Sequence, residues 1–417
     1  MEFKSSWNFK RVAVPAGIVF LLVAPLAALD SLSLTQALNR SHSHPALAAG
    51  SLEVKAQTAL SSQAGKFENP RLSIEAESYE TTARLEQTIE LGGKRTLRVK
   101  QAEAERRLVE NSLEAKQREV EKTVRDAFLD VLWLQEKSAL KKRKVGVLEE
   151  ATRVTQRRLN AGRGSAAEQA KMGVELLMAK LDSEQSTEET EAAKRHLALL
   201  LGQATPDFSG VTGEFQTLET LSALDAVYQG VLQHPQLTRW KTEKEMRSLS
   251  LQSTRAGNIP NVEFNAGIRH LRDPGNGGGQ DIGWVGGVSV PLPLWNRQQG
   301  AIKGADYRSA SAEKEELATR QELEIRASAL WSTLRTRATQ IERLREALIP
   351  GAEKAYQAAQ TAYAAGQQGS LELLDGQRLL FEMNERYIDA LALYHRDFAE
   401  LTALAGPTHT VDGKEIP

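Results

Sequence analysis

The sequence predicts a mainly helical chain that contributes four strands to a membrane β-barrel, arranged as two duplicated halves. Each half reads helix, strand, strand, long helix, helix. Three observations predict this. Four segments of about 8–11 residues alternate apolar and polar side chains, the length of tilted membrane strands. Two helical patterns run on for more than about 60 residues, far beyond an ordinary globular helix. And the chain repeats its own landmarks in the same order.

Composition sets the outer bounds. Charged residues are 26% and hydrophobic ones 41% of 417 residues, which suits a folded protein rather than a disordered one. Aromatics are only 6%, low for a thick globular core, while Ala, Leu, Glu, Gln, Lys and Arg dominate as in long helices. Net charge is −1, so nothing draws the chain to nucleic acid. The chain lacks cysteine, which removes disulfides, thiolate metal sites and a lipid-bearing N-terminal Cys.

The elements follow in chain order. Lys4, Lys10 and Arg11 precede the apolar run Val12–Leu29, which closes on Ala27, Ala28 and Leu29 before Asp30. That is the layout of a signal peptide over residues 1–28. An uncleaved anchor is the alternative, since about 18 apolar residues just span a bilayer. Pro15, Pro25 and the small residues favour cleavage. No later apolar run is long enough for a transmembrane helix.

The first repeat, 29–202, starts with a helix over about 32–66. Strands follow at about 71–79 and 84–91, then a long helix at about 94–161 and a returning helix at about 166–201. In the first strand Leu72, Ile74 and Ala76 share one face, and Arg71, Ser73, Glu75 and Glu77 the other. A linker, 203–220, leads to the second repeat, 221–406. Its elements are predicted at about 221–256, 261–270, 282–292, 304–365 and 371–404, before a tail at 407–417. Val262, Phe264, Ala266 and Ile268 oppose Asn261, Glu263, Asn265 and Arg269.

The echoes are SHPAL (43–47) with QHPQL (233–237), Pro70 with Pro260, LGGKR (91–95) with LWNRQ (294–298), LNAGRGS (159–165) with YAAGQQGS (363–370), and Gly202 with Gly406. The offset drifts from about 190 to about 204. A longer Gly-rich loop, DPGNGGGQD (273–281), accounts for much of the drift. At 1.5 Å per residue each long helix measures roughly 100 Å and each short one roughly 50 Å, so two short helices end to end match one long helix. Val120, Val124, Ala127, Val131 and Leu134 step by four and three, a coiled-coil seam. Pro350 should kink the second long helix.

Four strands cannot close a barrel, and open edges cannot sit in lipid. Three copies give twelve strands and no edge. A homotrimeric, twelve-stranded barrel embedded in outer-membrane lipid, continued by an α-helical periplasmic tunnel, therefore satisfies the pattern. Gly92, Gly93 and the stretch holding Pro291 and Pro293 become the corners where strand turns into helix. Lys94, Arg95 and Arg297 fall at the headgroup boundary. The tips Gly162–Ser165 and Gly366–Ser370 reverse each hairpin, with Gly for the turn and Ser for the cap.

With IELGGKR and VPLPLWNRQQG at the strand-to-helix turns, Y…AG…S…LLDGQR before the last helix, and duplicated halves, the sequence resembles the TolC-type outer-membrane factors. The two turn motifs are similar to the heavy-metal branch, the CzcC-like proteins. The resemblance spans the mature chain. It implies a trimeric efflux duct in the Gram-negative outer membrane. It further implies a periplasmic adaptor docked at the tips and an inner-membrane pump, often of the proton-driven RND class. It places acidic rings at the periplasmic end on the positions of Glu372 and Asp375, three residues apart on one helix face. Gly376 departs from the family's usual Ala, and the one-residue insertion at Gly369 shifts the register of the second tip.

Rival readings are a periplasmic coiled-coil scaffold, a duct for drugs or proteins, and an enzyme. A scaffold would have one hairpin between β-rich domains. For an enzyme, no HExxH, GxSxG or phosphate-binding loop is present, and GGKRT lacks the upstream Gly. His42 and His44 give two ligands without a third, too few for a metal site, so no metal or cofactor is expected.

Overall fold

The computed structural model describes residues 30–272 and 280–406. The signal peptide, the tail and most of the Gly-rich loop lie outside these residues. The short leading helix of each half is divided in two. In the first half α1 (Leu34–Ser41) and α2 (Pro45–Ala64) part at Ser43–His44; in the second α5 (Leu224–Val231) and α6 (Pro235–Ala256) part at Gln233–His234. Both breaks fall at the echoed His-Pro. Proline opens the new helix, where its missing N–H costs nothing, and the preceding His caps it through Nδ1.

The two-residue strand β1 (Leu32–Ser33) pairs in parallel with β4 (Val211–Thr212). The other four strands, β2 (Arg71–Ala76), β3 (Glu80–Ile89), β5 (Val262–Arg272) and β6 (Gln280–Ser289), form one antiparallel sheet in the order β2-β3-β5-β6. β3 begins four residues before the 84 expected from alternation, because Glu77 and Glu80 close a tight turn by mutual backbone hydrogen bonds. β6 ends at Ser289 rather than 292, since Pro291 cannot donate to a ladder.

Register fixes what each face carries. Leu72 stands opposite Leu85, Leu85 opposite Ala266, Ile268 opposite Trp284 and Phe264 opposite Val288. One face is therefore largely apolar, interrupted by Thr81, Gln87 and His270, and it is bare: Ile282 is 73% and Trp284 89% exposed. The other face is polar and cross-linked, with Arg84 paired to Glu75 (2.7 Å), Arg269 to Glu80 (2.8 Å) and Ser73 donating to Glu86 (3.0 Å).

Below the sheet the helices form four columns. α3 (Lys94–Asn160) is one unbroken helix of 67 residues, about 100 Å long. The second long column is α7 (Gln299–Arg343, 45 residues), a π turn (Leu344–Leu348, 5) and α8 (Ile349–Ala365, 17). The helix does not break at Pro350. Pro350 has no N–H and crowds the carbonyl four residues back, and the preceding turn widens to π spacing instead. The short columns are α2 above α4 (Ala166–Leu200), and α6 above α9 (Ser370–Ala405). α2, α4, α6 and α9 all pack on α3, and α6 and α9 also pack on the second long column. The strip runs α2/α4, α3, α6/α9, α7–α8, and its two outer edges have no counterpart within the chain.

The main core sits at mid-length. Phe128, Val131, Val227, Leu334, Leu391 and Tyr394 are almost fully buried there. Each such side chain contributes about 1.5–3 kcal/mol by leaving water. The segment 203–220, read from sequence as a linker, joins this core: Phe208, Val211 and Phe215 are buried in it. A second core near the tips gathers Leu148, Met172, Tyr363 and Leu374. Among the described residues no helix is long and apolar enough to cross a membrane.

Candidate functional site: corners, tips and the start of the last helix

The corners are built from residues that no other type replaces cheaply. Gly92 and Gly93 have φ +70° and +71°, the left-handed region that glycine enters without steric cost. A Cβ on Gly92 would lie 2.7 Å from Ile259 Cδ1, so the loop before β5 closes over the corner. Gly93 caps α3. Its counterpart before α7 is Gln298, left-handed at φ +52°. The second corner is a longer connection, 290–298, between β6 and α7. Pro291 and Pro293 lie in its first half, beside Asn258 and Pro260, and the left-handed Gln298 ends it. Asn296 Oδ1 holds the Gln298 N–H at 3.1 Å.

Charged side chains brace the first corner. Arg98 donates to both Glu90 oxygens (2.5 and 3.0 Å) and to the carbonyl of Ala64 (2.8 Å). Lys94 donates to Asn261 Oδ1 (2.6 Å), joining the two halves, and Arg95 covers the Phe67 ring at 4.2 Å. Arg297 reaches the Pro293 carbonyl at 3.4 Å.

About 100 Å away, at the far end of α3, the two tips differ in chemistry. Gly162 is left-handed (φ +66°) and the Arg163 N–H returns to the Arg158 carbonyl, a Schellman closure. Ser165 then caps α4, accepting from the Glu168 N–H (3.1 Å) while Glu168 accepts from the Ser165 N–H (3.4 Å). At the second tip Gly366 is left-handed (φ +80°), but the N-cap of α9 is Gly369, without a side-chain bond. Ser370 does not cap; it is the first helical residue and is buried. The extra residue of the second tip accounts for this difference.

The tips touch each other. Glu168 Oε1 lies 4.0 Å from the Cβ position of Gly369. Arg158 covers the Tyr363 ring at 4.2 Å and donates to its carbonyl, while Thr155 Oγ1 bonds the Tyr363 hydroxyl at 2.8 Å. Sequence reasoning passed over this clamp, although Tyr363 opens the YAAGQQGS echo itself.

Glu372 and Asp375 both lie exposed on the first turns of α9. Arg378 pairs with Glu175 on α4 and lies 3.9 Å from Asp375, so it ties the start of α9 to the first hairpin, and among the described residues no cation pairs with Glu372. Gly376 has a reason in packing: a Cβ there would sit 3.3 Å from Tyr356 Cα and 3.6 Å from Ala359 Cβ, so glycine lets α8 and α9 draw close. Among the described residues no three His, Asp or Glu side chains gather to hold a metal ion.

An antiparallel sheet with one bare apolar face, set at one end of a helical strip that closes in two tips at the other, defines a protomer of the membrane channel-tunnel class. The chain belongs to the outer membrane efflux protein family, whose description matches residues 34–203 and 227–407. It is accordingly an outer-membrane protein with its helical part in the periplasm. It is 26% identical over 405 residues to the cobalt-zinc-cadmium resistance protein CzcC of Cupriavidus metallidurans, covering 96% of each chain. Its fold is shared with a solved structure of CusC (TM-score 0.74, 15% identity, 96% of this chain and 99% of that one). It is shared too with the outer membrane protein VceC of Vibrio cholerae (TM-score 0.71, 18% identity, 90% and 97%).

Proposed function

We propose that three copies of this chain form a twelve-stranded barrel and a continuous helical tunnel, a passive exit duct for heavy-metal cations. An inner-membrane RND-type pump and a periplasmic adaptor deliver the cargo, the adaptor docking at Gly162–Ser165 and Gly366–Ser370. The observation that carries the reading is the sheet. Its apolar face is bare, its polar face is cross-linked, and β2 and β6 end in unpaired edges that lipid would not tolerate. Closure by three copies removes all edges, turns the apolar face to lipid and lines the lumen with the polar one. Trp295, 87% exposed beside Gln298, then falls at the membrane boundary, where tryptophan concentrates. The metal cargo is supported by the likeness to CzcC over the whole chain. The duct catalyses no reaction and needs no cofactor.

Two measurements test this. The mass in detergent, corrected for bound detergent, should be three times that of one chain; a stable detergent-free monomer overturns the duct. A deletion strain should lose resistance to cobalt, zinc or cadmium and regain it with the gene restored. Sensitivity confined to organic drugs would move the cargo to that class.

A further inference from the structure

The helical strip has two unlike edges, and their surfaces fit one another. On α4 the residues Val174, Leu177 and Leu181 are 59%, 61% and 58% exposed and continue at the same spacing into Glu184 and Glu188. Among the described residues no cation pairs with either glutamate. On the opposite side, where the second long column meets α9 beside the π turn, lies an open pocket of about 500 Å³ with Leu348 and Met383 on its apolar wall and Arg335, Arg343 and Arg386 around it. Arg386 is engaged by Glu382 at 2.6 Å. Arg335 leans over Trp331, and among the described residues neither it nor Arg343 has a carboxylate partner.

The heights agree. At 1.5 Å per residue Glu184 and Glu188 stand about 27 and 33 Å from the start of α4 at the first tip. Arg343 stands about 33 Å from the end of α8 at the second tip. Within the chain α4 packs extensively on α3 and not on the α7–α8 column.

We propose that the α4 edge of one copy seats on the α7–α8 edge of the next, Leu181 packing beside Leu348 and Glu184 and Glu188 entering the arginine pocket. The occupant is a second copy of this chain. The contact is head-to-tail, so it closes only as a ring. It rests on the trimer reading above and specifies which side chains hold the tunnel together at mid-height. The helix widened by Pro350 gains a role here, since the π turn forms part of the receiving wall.

The natural chain has no cysteine, so introduced thiols report alone. Glu188→Cys combined with Arg343→Cys, treated with a bifunctional thiol linker, should give covalent dimers and trimers on a denaturing gel. A linker is used because a Glu–Arg pair holds its Cα atoms beyond the roughly 6 Å of a disulfide. Either single variant should run as one chain; self-linking of Glu188→Cys alone would show two α4 edges meeting and overturn the proposal. So would absence of linking in particles whose native mass is still that of three chains, an outcome that leaves the trimer standing. A native mass of one chain would remove the trimer reading itself and this seam with it. In a second arm, Glu184→Arg with Glu188→Arg should shift the trimer's dissociation temperature downward. Adding Arg335→Glu and Arg343→Glu should recover at least half of the shift, and no recovery overturns the pairing.

Discussion

His395 is an ionisable side chain inside the mid-length core, 6% exposed. Burial works against its charged form, but the Glu219 carboxylate, 3.3 Å from Nδ1, and the Phe215 carbonyl, 2.8 Å from Nε2, outweigh burial and hold its pKa above the ordinary value. Tyr394 beside it is pushed up to about 12, by burial first and Glu219 second, and its hydroxyl donates to the Glu219 carbonyl. A raised folded pKa means the protonated His395 stabilises the fold fully below its unfolded pKa of about 6.5, and that this stabilisation fades as pH climbs through the folded value. Glu219→Gln should therefore lower the melting temperature most near pH 5.5 and least near pH 9, read by thermal melts in detergent across that range. A gap that widens with pH would show that the pair does not act through His395 protonation. None of this was legible in the sequence, where Glu219 fell in a linker and His395 was one of seven scattered histidines.

At the scale of the element, the two tips share a sequence echo but not a cap. The Ser165–Glu168 box satisfies donors that at Gly369 have no side-chain partner. Ser165→Ala should cost about 1 kcal/mol and speed amide exchange in the first turn of α4. The first turn of α9, which has no such cap to lose, should already exchange faster in the parent, and equal rates at the two tips would contradict this. The long helices, the four strands and the glycine turns were legible because each rests on a local rule: periodicity, alternation, positive φ. Three things were not. The His-Pro echoes read as a repeat, yet they also start helices, a role for which histidine is a poor signal. The second corner was read at the stretch holding Pro291 and Pro293, but that the β6–α7 connection ends on a left-handed glutamine, Gln298, cannot be foreseen from residue type. Pro350 marked an irregularity in the second long helix, but that the turn before it takes π spacing depends on the neighbours it packs against, here α9.

At the scale of the whole molecule, Glu372 and Asp375 matter only if copies bring them together. In the proposed trimer three chains would place six carboxylates around one axis, and such a ring would draw cations and repel anions. Glu372→Gln with Asp375→Asn should reduce cation selectivity in planar bilayers and weaken block by multivalent cations added from the periplasmic side. Unchanged conductance and block would mean that these carboxylates line no constriction, and the Arg378 tie to Glu175 and Asp375 would then stand as their surroundings' main role. In the proposed ring the strip's unlike edges would also govern how assembly proceeds. Two chains joined head-to-tail satisfy one seam and still present one raw edge of each kind, in helix and sheet alike, so pairing alone relieves little. The third arrival completes two seams at once and leaves no unpaired strand. Half-built assemblies should therefore be scarce at equilibrium, and finished ducts should stand in proportion to the cube of the unassembled chains. While unassembled chains outnumber finished ducts, a modest fall in secretion would then cost the cell more than a proportionate share of its exits.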